Sequence, residues 1–180
     1  MNKTHLNSRY QFLVSLAYDG SRFFGVQEQK TLPTVLSALR KRIASFTEEK
    51  PHSLAASART DRGVSALKNF ATFYLKDLRR DELLDFINSV EKYRDDGLYQ
   101  VELFWADPHV HARSCSNGKK YRYTIVDNNG SFNPYSWGIY PKLDINAMKE
   151  ASLLLLGEHD FSSLRGGGCE AGTTIKEIFS

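Results

Sequence analysis

The first constraints come from what the sequence lacks. Its 180 residues include only two cysteines, Cys115 and Cys169, far apart and without a CxxC pair or a histidine-rich neighbourhood. Neither a disulfide framework nor a structural zinc site is expected, and both thiols read as buried or idle. No apolar run approaches the length that spans a bilayer. Residues 1 to 10 are polar and contain no stretch resembling the apolar core of a secretory signal. The expectation is therefore a cytoplasmic protein with no membrane partner. Acidic residues are missing locally. From Pro108 to Val126 there is none, while Arg113, Lys119, Lys120 and Arg122 are all basic. From Asp77 to Glu102 the balance reverses, eight acidic residues against four basic. The formal net charge of +3 hides this segregation. A one-sided positive surface suits a polyanionic partner such as nucleic acid, and a solvated basic face without a partner is the plain alternative.

What is present reads as a soluble α+β chain. At 41% hydrophobic and 25% charged the composition is ordinary, and the length allows one substantial core or two small domains. Tyr10, Phe12, Val14, Leu16 and Tyr18 alternate as one face of a strand, and Asp19-Gly20-Ser21 ends it in a turn. Arg22 to Gln27 reads as a loop with exposed aromatics. Pro33-Thr34 opens a helix whose Val35, Leu36, Leu39, Ile43 and Phe46 recur at helical spacing, with Arg40, Lys41 and Arg42 between them. Short strands follow over 52–58 and 69–75. A helix over 79–93 carries Asp81 and Glu82 in its first turn, where negative charge is favoured, and a strand runs over 98–105. Strand, helix, strand, strand, helix, strand is the split βαβ or ferredoxin-like order.

The second half starts the same way. His109 to Arg113 is a link, and residues 119–126 alternate basic and aromatic side chains as a strand. A loop runs from Asn128 to Tyr140. Asp144 caps a helix that Gly157 stops, and a strand begins at Thr173. The chain thus reads as two ferredoxin-like units side by side, residues 1–107 and 108–180, forming one mostly antiparallel sheet with helices on one face. The second unit holds only half its elements, which should leave a helix face and a sheet edge uncovered.

Between the second and third strands lies Ser57-Ala58-Arg59-Thr60-Asp61-Arg62-Gly63-Val64-Ser65-Ala66. Arg59 or Arg62 beside Asp61 would favour an ionised carboxylate, and Gly63 permits a turn. By residue type alone this is a charged turn with a surface ion pair.

Its string Arg-Thr-Asp-x-Gly-Val-Ser-Ala resembles the catalytic motif of the TruA family of tRNA pseudouridine synthases. Three further blocks resemble the family in order: Tyr18-Asp19-Gly20-x-x-Phe23-x-Gly25-x-Gln27, with Val26 for the usual Trp; His111-Ala112-Arg113 with Lys120-Tyr121-Arg122-Tyr123; and Gly157 to Arg165. The resemblance implies isomerisation of uridine to pseudouridine in the anticodon stem-loop of tRNA. It implies Asp61 as the essential residue, with Tyr121 and Arg59 in the catalytic set, and pairing as a homodimer. No cofactor or metal is expected. Arg22, Arg62, Arg113, Lys119, Lys120 and Arg122 are candidates for binding the RNA backbone. His111 and His159 read as structural histidines, and Asp160 as a residue that caps or pairs locally. Gly166 to Gly168 reads as a loop near the site, because it lacks the Lys-Ser/Thr of a phosphate loop. A non-catalytic RNA-binding module is the competing function. Asp61 discriminates between the two, since a carboxylate among phosphates repels what a binder must hold.

Overall fold

The structure, a computed structural model, describes residues 10–47, 49–76, 83–92, 96–127, 133–139, 143–166 and 172–180. The chain divides into two compact units, Met1–Lys120 and Tyr121–Ser180.

The first unit follows the ferredoxin-like order. Strand β1 (Tyr10–Tyr18) leads to helix α1 (Val35–Ala44), β2 (His52–Ala56), β3 (Ala66–Leu75), helix α2 (Leu83–Lys92) and β4 (Leu98–Trp105). The strands lie in the order β2-β3-β1-β4, each antiparallel to its neighbour. The expected first turn of α2, with Asp81 and Glu82, lies outside the described residues. Alternate residues of the central strands, Phe12, Val14, Leu16, Ala71, Phe73 and Leu75, are buried against Val35, Leu36, Leu39 and Ile43 of α1 and Phe86 and Val90 of α2. Phe46, expected on that helix face, lies beyond the helix end and is 38% exposed. Thr34 caps α1 through a reciprocal box with Ser37. Its Oγ1 accepts from the Ser37 amide at 3.2 Å, and its own amide donates to Ser37 Oγ at 2.9 Å.

Arg42, one of the three basic residues between the apolar positions, lies three residues after Leu39 and seven after Val35, on the buried face of α1, and is only 2% exposed. Its guanidinium bonds both carboxylate oxygens of Asp96, one at 2.7 Å, and the Leu98 carbonyl at 2.9 Å, which joins α1 to the start of β4. The segment Arg22–Gln27 is expected to carry exposed aromatics, but Phe23 and Val26 are buried. The segment folds beneath a neighbouring loop instead of facing solvent.

The link after β4 is fastened to the same sheet. The Ala106 amide donates to the Gln11 carbonyl at 3.0 Å, Gln11 Nε2 donates to the Val110 carbonyl at 3.2 Å, and the Ala112 amide donates to Thr72 Oγ1 at 3.2 Å.

In the second unit the strand expected over 119–126 is reduced to β5 (Ile125–Asp127). It pairs in parallel with β6 (Trp137–Ile139), inside the stretch expected to be a loop. Residues 119–124 form no ladder: Tyr121 and Tyr123 fall on one side of the alternation, yet they stand 70% and 80% exposed, so strand propensity alone does not pair the segment. Asp144 caps α3 (Ile145–Leu153) by accepting from the Ala147 amide at 3.0 Å. Strand β7 (Gly157–Asp160) pairs antiparallel with β8 (Ile175–Ile178). No residue of α3 is buried, and Leu153 and Leu154 stand 65% and 77% exposed, as expected for an uncovered helix face.

Removing one partner of the buried Arg42–Asp96 pair should be costly, because the other charge stays without its counterion. Arg42→Ala is expected to lower unfolding free energy by about 3 kcal/mol in urea titrations, and Arg42→Met with Asp96→Leu should recover a large part of it. Equal stability of wild type and Arg42→Ala would assign the pair no structural role.

Candidate active site

The loop 57–65 leaves the sheet where β2 ends and returns where β3 begins, so both of its ends are held by paired strands. The last rung before departure is the Ser57 amide donating to the Phe70 carbonyl at 2.7 Å. Tyr18, at the end of β1, lies opposite Ala66, the first residue of β3. Strand order therefore brings the segment after β1 directly under the loop, although 42 residues separate Tyr18 from Thr60 in sequence.

Contact between the two is backbone against backbone. A Cβ on Gly20 would lie 2.3 Å from both the carbonyl carbon and oxygen of Val64, and one on Gly25 would lie 2.9 Å from the Thr60 carbonyl oxygen. Gly25 also has a positive φ of 96°. Hydrogen bonds tie the layers together: the Gly20 amide donates to Ser65 Oγ at 2.9 Å, and the Val26 amide donates to the Thr60 carbonyl at 3.0 Å. The Asp61 carbonyl accepts from the Val64 amide at 3.3 Å, and Gly63, at φ 81°, completes this turn.

Asp61, Arg59 and Arg62 are exposed on this loop. The expected ion pair at Asp61 is absent among the described residues. The Arg62 guanidinium lies over the Phe24 ring, 4.3 Å from its centroid, so it is held by an aromatic face and not by the carboxylate. Arg22 is exposed too, and it lines a cleft with Lys41, Arg42 and Asp96. Arg113 emerges from the link fastened to Thr72, with its amide donating to His111 Nδ1 at 3.4 Å. Lys119 and Lys120 are exposed at the end of the first unit. Tyr121 and Arg122 belong to the second unit, where both are exposed. The structure thus brings Arg59, Asp61 and Arg62 together on one loop.

His159 Nε2 hydrogen-bonds the Leu156 carbonyl at 2.7 Å. The Asp160 carboxylate pairs locally, accepting from the Ser162 amide at 2.9 Å. Hydrogen bonds from the Thr174 side chain and the Ser162 amide hold its carboxyl below the usual carboxylate range. Gly167 and Gly168 lie outside the described residues. Cys115 is exposed, so of the two readings of the thiols, buried or idle, only idle suits it. Among the described residues no His, Cys, Asp and Glu cluster could hold a metal ion. No helix among them is long and apolar enough to cross a membrane. The sequence reading missed Phe24 and Ser65 as loop contacts. Both contacts join segments about 40 residues apart, so no local pattern announces them.

Fold and loop together define a class: an α+β protein whose sheet displays a carboxylate and two guanidinium groups on a clasped loop. No protein-family model matches the chain. Curated relatives named tRNA pseudouridine synthase A do. The protein of Neisseria gonorrhoeae (strain NCCP11945) is 34% identical over 176 residues, covering 95% of this chain and 65% of the relative. That of Wigglesworthia glossinidia brevipalpis is 32% identical over 170 residues, covering 91% and 62%. That of Thermoanaerobacter pseudethanolicus is 33% identical over 171 residues, covering 93% and 68%. The chain belongs to the TruA family of tRNA pseudouridine synthases. It spans about two thirds of the length of these relatives.

The two layers make different demands at two glycines. Gly20→Ala puts a methyl group into the Val64 backbone and should cost about 1–3 kcal/mol. Gly63→Ala meets nothing within 4 Å and should cost only about 1–2 kcal/mol for its left-handed φ. Thermal unfolding checks the order: a Gly63 variant less stable than the Gly20 variant would contradict the seating described here.

Proposed function

We propose that this chain acts in tRNA pseudouridine synthesis, isomerising uridine in the anticodon stem-loop, with Asp61 as the reacting carboxylate. The observation that carries the proposal is the exposed Asp61 carboxylate, without an ion pair among the described residues, on a loop fixed to the sheet, in a chain of the TruA family. The isomerisation breaks the C1′–N1 bond, turns the uracil and joins C5 to C1′. The C5 proton is lost and N1 regains one. This requires a carboxylate that acts as nucleophile or stabilises the sugar cation, and it requires neither oxidant nor metal.

In this reading Arg59 stands beside Asp61 in the catalytic set, and Tyr121 supplies the aromatic face on which the detached base stacks. Extracting the base from folded RNA costs a few kcal/mol. Contacts to phosphate from Arg22, Arg62, Arg113, Lys119, Lys120 and Arg122 offset that cost. The partners are tRNA and a second copy of the chain, in the cytoplasm. The non-catalytic RNA-binding alternative is disfavoured by Asp61 itself, whose charge repels phosphate.

Asp61→Ala is expected to abolish tritium release from tRNA labelled at uridine C5 while leaving RNA affinity unchanged or slightly higher. Residual turnover in this variant would remove Asp61 from the mechanism. Binding should weaken steeply with salt. Replacing Lys119 and Lys120 with Ala should lower the slope of log K against log salt by about one for each phosphate that a lysine neutralises in the wild type. An unchanged slope would show that these lysines face away from the RNA.

A further inference from the structure

We propose that Asn69 and Tyr18 are positioning residues that fix the Asp61 loop; the inference rests on the isomerase reading above. Asn69 points to the core side of β3, on the same face as Ala71 and Phe73, and is 5% exposed. A carboxamide there must satisfy two donors and an acceptor oxygen without water. It does so at the point where β2 parts from β3. Asn69 Nδ2 donates to the Ala58 carbonyl at 3.0 Å, and Asn69 Oδ1 accepts from the Ala58 amide at 3.3 Å. The side chain thereby satisfies both backbone groups of Ala58 where β2 leaves the sheet. The second Nδ2 hydrogen goes to the Tyr18 hydroxyl at 3.1 Å, and the Phe70 amide donates to Oδ1 at 2.8 Å, so the carboxamide is fully used.

The Tyr18 hydroxyl carries the network onward. It shares a 3.0 Å hydrogen bond with Thr60 Oγ1. Tyr18 is itself 3% exposed, and its ring meets Phe23 edge-on, so the hydroxyl is held by packing. The loop is thereby pinned at Ala58 and at Thr60. Arg59 lies between these pins and Asp61 immediately after the second. The Thr60 carbonyl is fixed separately by the Val26 amide. Asp61 can remain exposed and free of ion pairs within the described residues because its placement comes from the backbone on its N-terminal side. A catalytic group displaced by an ångström can cost on the order of a hundredfold in rate, so these two buried residues should act on turnover more than on binding.

The test uses the full chain with Tyr18→Phe, which keeps the ring and removes the hydroxyl, and Asn69→Ala. Val90→Ala, a core truncation on α2, controls for general destabilisation. Two quantities are read: amide hydrogen exchange over residues 58–64, and kcat and KM for pseudouridine formation in tRNA. Both loop variants should exchange about tenfold faster or more over 58–64. Both should lose about tenfold or more in kcat with KM changed less than about threefold. Val90→Ala should do neither at a temperature where it is folded. Wild-type exchange or wild-type kcat in Tyr18→Phe overturns the proposal, as does an equal effect of Val90→Ala on both readouts. A wild-type chain without turnover counts against the isomerase reading. Exchange then decides the positioning role by itself: faster exchange in both loop variants upholds it, and unchanged exchange overturns it.

Discussion

The seating of the 57–65 loop on the segment that follows β1 is the constraint on which the functional reading depends. Two stretches of backbone meet there without side chains between them, which only the missing Cβ of Gly20 and Gly25 allows. The strand order β2-β3-β1 makes the meeting possible, because the end of β1 and the start of β3 are paired neighbours. Hydrogen bonds from Gly20 and Val26 then give the loop fixed partners in place of water. A carboxylate carried on such a loop is held in position although its own side chain stays exposed.

Arginine serves opposite ends in this unit. Arg42 is buried and paired where α1 meets the start of β4, its charge matched by Asp96 and further guanidinium hydrogens taken by the Leu98 and Val90 carbonyls. Arg62 is exposed and rests on an aromatic face. The difference lies in the tertiary surroundings: Arg42 faces a carboxylate that cannot move away, and Arg62 faces a ring with Asp61 nearby in sequence but not in contact.

The second unit contrasts with the first. Its short ladders bury little, and α3 presents Ile145, Met148 and Leu153 to solvent. Apolar side chains on a capped, well-formed helix are what a larger sheet would cover. The chain spans about two thirds of the length of the relatives it matches.

Local signals in the sequence determined the elements of the first unit, the cap at Asp144, and the loop that carries Asp61. Alternation over Tyr10–Tyr18, helical spacing from Val35 to Ile43 and the string around Asp61 each depend on neighbours within a few residues, so they are legible in order along the chain. Their ferredoxin-like order even indicated the strand neighbours. Tertiary structure alone decided which charges pair and which side chains hold the loop. Arg42 shares the buried face of α1 with Val35 and Leu39 by helical spacing, but what balances its charge is settled only when Asp96 arrives from 54 residues away. Phe23 and Val26 read as loop residues until they join the core, Phe23 edge-on to Tyr18 and Val26 bonded through its amide to the Thr60 carbonyl. The strand expected over 119–126 gave way to the three residues Ile125–Asp127, because a ladder forms only where a partner strand, here Trp137–Ile139, lies alongside. The physical reason is common to all three: periodicity is a property of one segment, whereas burial and charge pairing belong to two segments that meet only when the sheet has formed.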